Sequence, residues 1–178
     1  MKKIALIISI LTVCGTAAFA QERKPSEPTK PYVVKTKQEF EAVEKALHVI
    51  DKDIKTKDLV TKSEDLIDNS GMQLRVAVQR DAKKNKAGAE VHDAADDVFY
   101  VLEGSAELTL GGKLENPKEA TPGEWKSDTI IGGKTFTIKK GDLIIVPRGT
   151  PHQRINTKGK TFSLLLIKIF KDPQPAKK

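Results

Sequence analysis

Cysteine is almost missing from this chain. Cys14 is its one example, and it lies within the first twenty residues. If that segment is removed, nothing remains for a disulfide, a thiol nucleophile or a thiolate metal site. No hydrophobic run is long enough to cross a bilayer: Ile4–Val13 falls well short of the roughly 20 residues a membrane helix needs. There is no Gly-x-Ser-x-Gly elbow and no glycine loop ending in Lys-Ser or Lys-Thr, so serine-hydrolase and nucleotide-phosphate chemistry have no support. No internal repeat is present. Histidine is also scarce, at three residues.

The N-terminus reads as a secretory signal. Lys2 and Lys3 form a basic start, Ile4–Val13 an apolar stretch, and Ala18-Phe19-Ala20 a small-residue cleavage site before Gln21. Lipidation at Cys14 is the rival reading, with Val13 a poor fit just before such a cysteine. The form of the signal points to a bacterium and to a periplasmic or secreted protein. Loss of Lys2 and Lys3 lowers the formal charge from +7 to +5. The excess is lysine scattered over loops and tails, which reads as a solvated surface. Export argues against nucleic acid as a partner. A disulfide-free exported domain must be held by its core, by metal or by assembly.

The expected layout is a signal peptide at 1–20, a flexible linker at 21–35, an N-terminal helical segment at 36–70, a β-barrel domain at 71–171 and a tail at 172–178. One compact domain fits this length. Thr36-Lys37-Gln38-Glu39 is a capping box. Phe40, Val43, Leu47, Ile50 and Ile54 then recur at helical spacing, predicting a helix from about Lys37 to about Lys55. A short helix or loop is expected over Leu59–Asp68. From Met72 the period becomes two: Leu74, Val76 and Val78 alternate with polar residues, as in a half-buried strand. Further strands are expected at 98–102, 106–110, 136–138, 143–146 and 162–170, with Glu103-Gly104-Ser105 as a turn. Many short strands between glycine turns suggest an antiparallel sandwich or barrel. The stretch Gly111–Gly133 reads as a long loop, either covering the barrel mouth or running over the surface pinned by Trp125.

Two stretches carry chemistry. Leu143–Val146 is apolar and runs into Pro147-Arg148-Gly149, then His152 and Asn156. This strand, tight turn and histidine, written Gly-x5-Pro-x-Gly-x2-His-x3-Asn from Gly141, resembles the second motif of the cupin family, with every defining position filled. Upstream, Glu90 and His92 stand two apart and so share one face of a strand. Asp97 follows five after His92, and Gly104 seven after Asp97. This resembles the first cupin motif with Glu90 in place of its first histidine, Asp97 in place of its glutamate and Lys84 in place of its opening glycine.

The resemblance implies an all-β cupin jelly roll, a double-stranded β-helix barrel, here with an N-terminal α-helix. It also implies a homodimer and a metal site of Glu90, His92, Asp97 and His152 facing the barrel interior. Two imidazoles and two carboxylates suit Mn(II), Fe(II), Zn(II), Ni(II) or Co(II), and the extra carboxylate leans toward manganese or iron. Asp97 is short and has a second reading, orienting a histidine from outside the metal shell. Asp93 and Asp96 are substitutes if the register differs by one. His48, beside the helical stripe, reads as solvated or packed. Strand parity places Phe99 and Val101 inside and Tyr100 and Leu102 outside. Phe99, Gln153 and Arg148 are the candidate substrate contacts, with a turn or rim role as the alternative for the last two.

Two function classes follow. One is a metalloenzyme acting on a small molecule, of the dioxygenase, isomerase, epimerase or lyase type that occurs in families this resembles. The other is a non-catalytic barrel binding a sugar, a small acid or a metal. A structural envelope protein is a distant third, against which a buried polar cluster argues.

Overall fold

The computed structural model describes residues 25–26, 28, 30–51, 60–82, 88–157 and 160–175. The signal segment, and positions 52–55 of the expected helix, lie outside them. The chain divides into two units, 1–32 and 33–178; everything below belongs to the second.

Helix α1 (Lys37–Leu47) begins at the expected capping box. The Thr36 amide donates to Glu39 Oε2 at 2.8 Å, and the Glu39 amide donates to Thr36 Oγ1 at 3.2 Å. The α-helix ends earlier than its apolar stripe suggests, tightening into a 3-10 turn over His48–Asp51. Val49 and Ile50 are adjacent β-branched residues, stiff at χ1 and poor at extending a helix. Phe40, Val43 and Leu47 pack with Leu66 and Val78 on the outside of a sheet.

The strands are β1 (Val60–Ile67), β2 (Leu74–Ala82), β3 (Ala89–His92), β4 (Ala95–Glu103), β5 (Ser105–Leu110), β6 (Lys113–Leu114), β7 (Lys118–Thr121), β8 (Glu124–Ser127), β9 (Ile130–Ile131), β10 (Lys134–Lys139), β11 (Leu143–Val146), β12 (His152–Asn156) and β13 (Phe162–Phe170). One sheet runs β1-β2-β13-β4-β11, the other β10-β5-β12-β3-β8-β7, with β6-β9 as a small ribbon. The all-β double-sheet architecture is as expected.

Three expectations change. Within the expected Leu59–Asp68 segment, the described residues are not helical: β1 pairs with β2 from Val60 to Ile67. Its polar residues hide the strand, since only Leu66 is buried among those whose exposure is described. The barrel sheet therefore starts inside the segment expected to be helical. Second, Gly111–Gly133 is not a bare loop. It holds β6 to β9, and β8 extends the second sheet by pairing with β3. Third, the tail is partly tied down: Gln174 exchanges backbone hydrogen bonds with Gly71 and Met72 at 2.9 Å each.

Between the sheets, Phe99, Val101, Ala106, Leu108, Ile138, Val146, Phe162, Leu164 and Leu166 form the core. Each fully buried large side chain contributes roughly 1.5–3 kcal/mol. The inward face then changes character along two paired strands. On β4 it reads Val101, Phe99, Asp97; on β13 it reads Leu164, Leu166, Lys168. The antiparallel register sets Leu166 opposite Phe99 and Lys168 opposite Asp97, so both strands turn polar at the same level. One end of the barrel is thus filled and the other is a polar cavity. Strand β2 departs from a simple reading: Val76 and Val78 face the helix cluster, while Arg75 and Gln79 line the cavity.

Gly104, between β4 and β5, has φ +78°, and a Cβ there would lie 2.2 Å from the Thr161 carbonyl oxygen. Only glycine fits both the left-handed backbone and that approach.

Candidate metal centre

The cavity has a volume of about 480 Å3 and opens beside Glu90, His92, Asp97 and His152. One donor atom from each of these four residues lies within 4.8 Å of the others. His92 Nε2 is 3.2 Å from Asp97 Oδ2 and 3.9 Å from Glu90 Oε1. His152 Nε2 is 3.2 Å from Glu90 Oε1 and 3.8 Å from Asp97 Oδ2. An ion with metal–ligand bonds of about 2.0–2.2 Å sets neighbouring donors roughly 3 to 3.5 Å apart. The four separations need only a small contraction to meet that.

The second atom of each residue is held from outside. His92 Nδ1 is 2.5 Å from Glu124 Oε2, and His152 Nδ1 is 3.0 Å from the Thr150 carbonyl. Both neighbours are acceptors, so with an ion at the cluster each Nδ1 would keep the proton and each Nε2 would offer its lone pair to the metal. Glu90 turns Oε1 inward, and its Oε2 accepts from the Lys126 ammonium. Asp97 turns Oδ2 inward, and its Oδ1 lies 3.0 Å from Lys168 Nζ.

Strand register produces these contacts. Glu124 is directly opposite His92, Lys126 opposite Glu90, and Lys168 opposite Asp97. His152 is itself opposite Glu90 across β12 and β3. Residues directly opposite in antiparallel strands have Cβ atoms about 4.5–5.5 Å apart. The donor set is thus built from cross-strand neighbours.

Burial and charge fit a metal. Asp97 is 3 % exposed, His152 4 % and His92 5 %. His92 Nε2 and Asp97 Oδ1 are fully buried without an aligned hydrogen bond; their neighbours above are ion-pair contacts. Buried polar atoms without aligned partners are costly, and an ion at the cluster would satisfy the inward one. Burial opposes ionisation of Glu90, but the hydrogen bond and charge of His152, with Lys126, outweigh it and hold the carboxyl well below its usual range. Asp97 behaves likewise: burial raises its pKa, and His92 and Lys168 bring it below normal. Burial works against an imidazolium at His92, but Asp97 and Glu90 overcome it and the repulsion of Lys168, so its pKa is raised. Two ionised carboxylates facing imidazole nitrogens make a hard, anionic set suited to a divalent ion.

The turn carrying His152 is pinned twice. The Gly149 amide donates to the His92 carbonyl at 2.8 Å. Arg148 donates to Asp96 from its amide at 2.8 Å, from Nε at 3.0 Å and from Nη2 at 2.7 Å. Those hydrogen bonds lower Asp96 to about 2. Asp96 is therefore a turn clamp rather than a substitute ligand, and Asp93 accepts from Trp125 Nε1 at 2.8 Å.

Of the three expected substrate contacts, Phe99 lines the cavity. Arg148 and Gln153 do not. Arg148 is engaged with Asp96, and Gln153, one residue past His152 and so on the opposite strand face, donates to the Asp128 carbonyl at 3.0 Å. Tyr100 is 44 % exposed and Leu102 packs under the helix, as parity requires. Glu124, Lys126 and Lys168 are the residues that sequence reasoning missed. For Lys168 a signal existed, since it is the lone charge in the apolar run Phe162–Phe170.

A family model described as Cupin domain matches residues 126–168, from β8 through β13. No curated protein matches the chain. Among solved structures, a conserved protein of unknown function from Streptococcus pyogenes is 20% identical, with a TM-score of 0.45; the match covers 65% of this chain and 77% of that one. A cupin domain from Schizosaccharomyces pombe is 19% identical with a TM-score of 0.46, covering 65% of each chain, and this chain thus spans just under two thirds of it. A predicted oxalate decarboxylase from Thermotoga maritima is 17% identical with a TM-score of 0.45, covering 62% of this chain and 80% of that one. The family match over residues 126–168 and the fully populated second motif from Gly141 to Asn156 fall on the same strands of the double-sheet barrel, and that stretch of the chain is similar to the cupin domain.

Proposed function

We propose that this is an exported protein that holds a divalent transition metal, manganese or iron by preference, through Glu90, His92, Asp97 and His152 and acts on a small molecule in the cavity beside it. The observation that carries the reading is the division of labour within each residue: one atom faces the cluster and the other is tied outside it. A chance cluster of polar groups has no reason to show that pattern four times.

When bound, such an ion supplies Lewis-acid polarisation of a substrate oxygen. The protein's own groups do the rest. Glu124 and the Thr150 carbonyl keep the two imidazoles in one tautomer. Lys126 and Lys168 moderate the negative charge of the carboxylates. Phe99, Leu108 and Leu166 give the cavity an apolar wall that limits water.

Titration of metal-free protein with Mn(II) tests the reading. One strong site is expected, lost in His92→Ala and in His152→Ala; full uptake by both variants would remove the proposed ligands. The alternative is a non-catalytic binding barrel. It draws support from the two lysines, which already neutralise Glu90 and Asp97 without a metal.

Export rests on Lys2, Lys3, Ile4–Val13 and Ala18-Phe19-Ala20. N-terminal sequencing of protein recovered from outside the cytoplasm would begin at Gln21. A homodimer draws support from Leu143, 63 % exposed on the outer sheet face and directly opposite the exposed Tyr100. Sedimentation would find a mass of two chains.

A further inference from the structure

We propose that the substrate is a small carboxylate and that Lys168 is the side chain that selects it. This deepens the metal reading and rests on it. The argument begins with charge. In and around the donor cluster the cavity is lined by three carboxylates (Glu90, Asp97 and Glu124) and two ammoniums (Lys126 and Lys168). With neutral histidines they leave one negative charge. A divalent ion reverses that to one positive charge in a site of low dielectric, which a single anionic group balances.

The other cations of the cavity are already committed. Arg75 Nε donates to Asp65 at 2.7 Å, and Arg154 Nη2 donates to Asp81 at 2.6 Å. Lys126 is half exposed at the rim, bonded to Glu90. Lys168 differs from all of these. It is 9 % exposed, lines the cavity, and touches Asp97 in an ion-pair contact with no aligned hydrogen bond to Oδ1. An ammonium has three donors, so Lys168 retains donor capacity toward the cavity.

The walls fix the rest of the class. Phe99, Leu108 and Leu166 on one side call for a ligand with a hydrocarbon body. A carboxylate has two acceptor oxygens, one for the ion and one for Lys168. Inorganic phosphate has more acceptors than Lys168 can serve, and no apolar part for the wall. A neutral amide brings no charge to balance the site.

Isothermal titration calorimetry on the Mn(II)-loaded protein tests this, with acetate, acetamide and inorganic phosphate as probes. Mass spectrometry gives the metal content of each sample. Acetate should bind loaded protein and not metal-free protein, and acetamide and phosphate should bind more weakly than acetate. Lys168→Met keeps the apolar stem and, compared with wild type at matched measured manganese content, should weaken acetate about tenfold or more. Lys168→Arg should recover part of the loss. Equal acetate affinity in Lys168→Met at full manganese content would overturn the proposal and leave the metal reading standing. So would acetamide or phosphate matching acetate on the wild type, a result that needs no variant to fold. Wild-type protein that takes up no manganese would overturn both.

Discussion

Glu124 is the most instructive residue to perturb, because it lies outside both sequence motifs yet holds His92 in place. Its Oε2 accepts from Nδ1 at 2.5 Å, a charge-assisted contact directly across the strand pair. Glu124→Ala removes that bond and frees the His92 ring to rotate or change tautomer. A hydrogen bond to a charged group is worth about 1.5–3 kcal/mol. At about 1.4 kcal/mol per decade, that is roughly 10- to 100-fold in metal affinity, the range seen when outer-shell partners of metal-bound histidines are removed. Glu124→Gln keeps an acceptor oxygen but not the charge, so its loss should be the smaller. Mn(II) competition against a fluorescent chelator, run at fixed pH, gives the affinity. Glu107→Ala, on an exposed position of β5, is the control and should bind as wild type does. Wild-type affinity in folded Glu124→Ala would refute the idea that this hydrogen bond sets the ligand.

The remaining predictions concern pH and folding. In the metal-free protein the raised His92 pKa contributes stability that is fully present below its ordinary 6.5 and is lost as pH rises through the folded value. The lowered Asp97 pKa contributes stability present above its ordinary 3.8 and lost as pH falls through the folded value. Metal needs deprotonated ligands, so its effect has the opposite trend: the Tm gain on adding Mn(II) should widen from about pH 6 to about pH 8, and a gain independent of pH would contradict histidine ligation. Gly104→Ala should destabilise by more than about 2 kcal/mol, since left-handed backbone alone costs roughly 1–2 kcal/mol and its Cβ would meet a backbone carbonyl; denaturant unfolding measures it. Phe162→Ala, at a fully buried core position, should cost about 3–5 kcal/mol by the same assay.

The parts of the site that could be read in the sequence depend on short-range geometry. Residues two apart share a strand face, so Glu90 and His92 belong together. The Pro-x-Gly turn fixes where His152 emerges. Phe99 follows Asp97 by the same parity. The parts that could not be read depend on which strands become neighbours. Glu124 and Lys126 lie in a four-residue strand within a glycine-bracketed stretch, too short to show alternation, and their roles arise only when β8 pairs with β3. Lys168 is visible as a charge in an apolar strand, but its partner is fixed by the β13–β4 register. Strand β1 was hidden because most of its side chains face water. Arg148 and Gln153 look like cavity residues from their closeness to His152 in sequence. Asp96 captures the first, and alternation turns the second away.

The most direct test of the central claim is the metal content, by plasma mass spectrometry, of protein beginning at Gln21 and purified without chelators or an affinity metal. The account predicts about one transition-metal ion per chain, with manganese or iron foremost, and its loss in Glu90→Ala and in His152→Ala. A folded protein that carries no metal and takes up none when offered manganese, iron, zinc or nickel would contradict it.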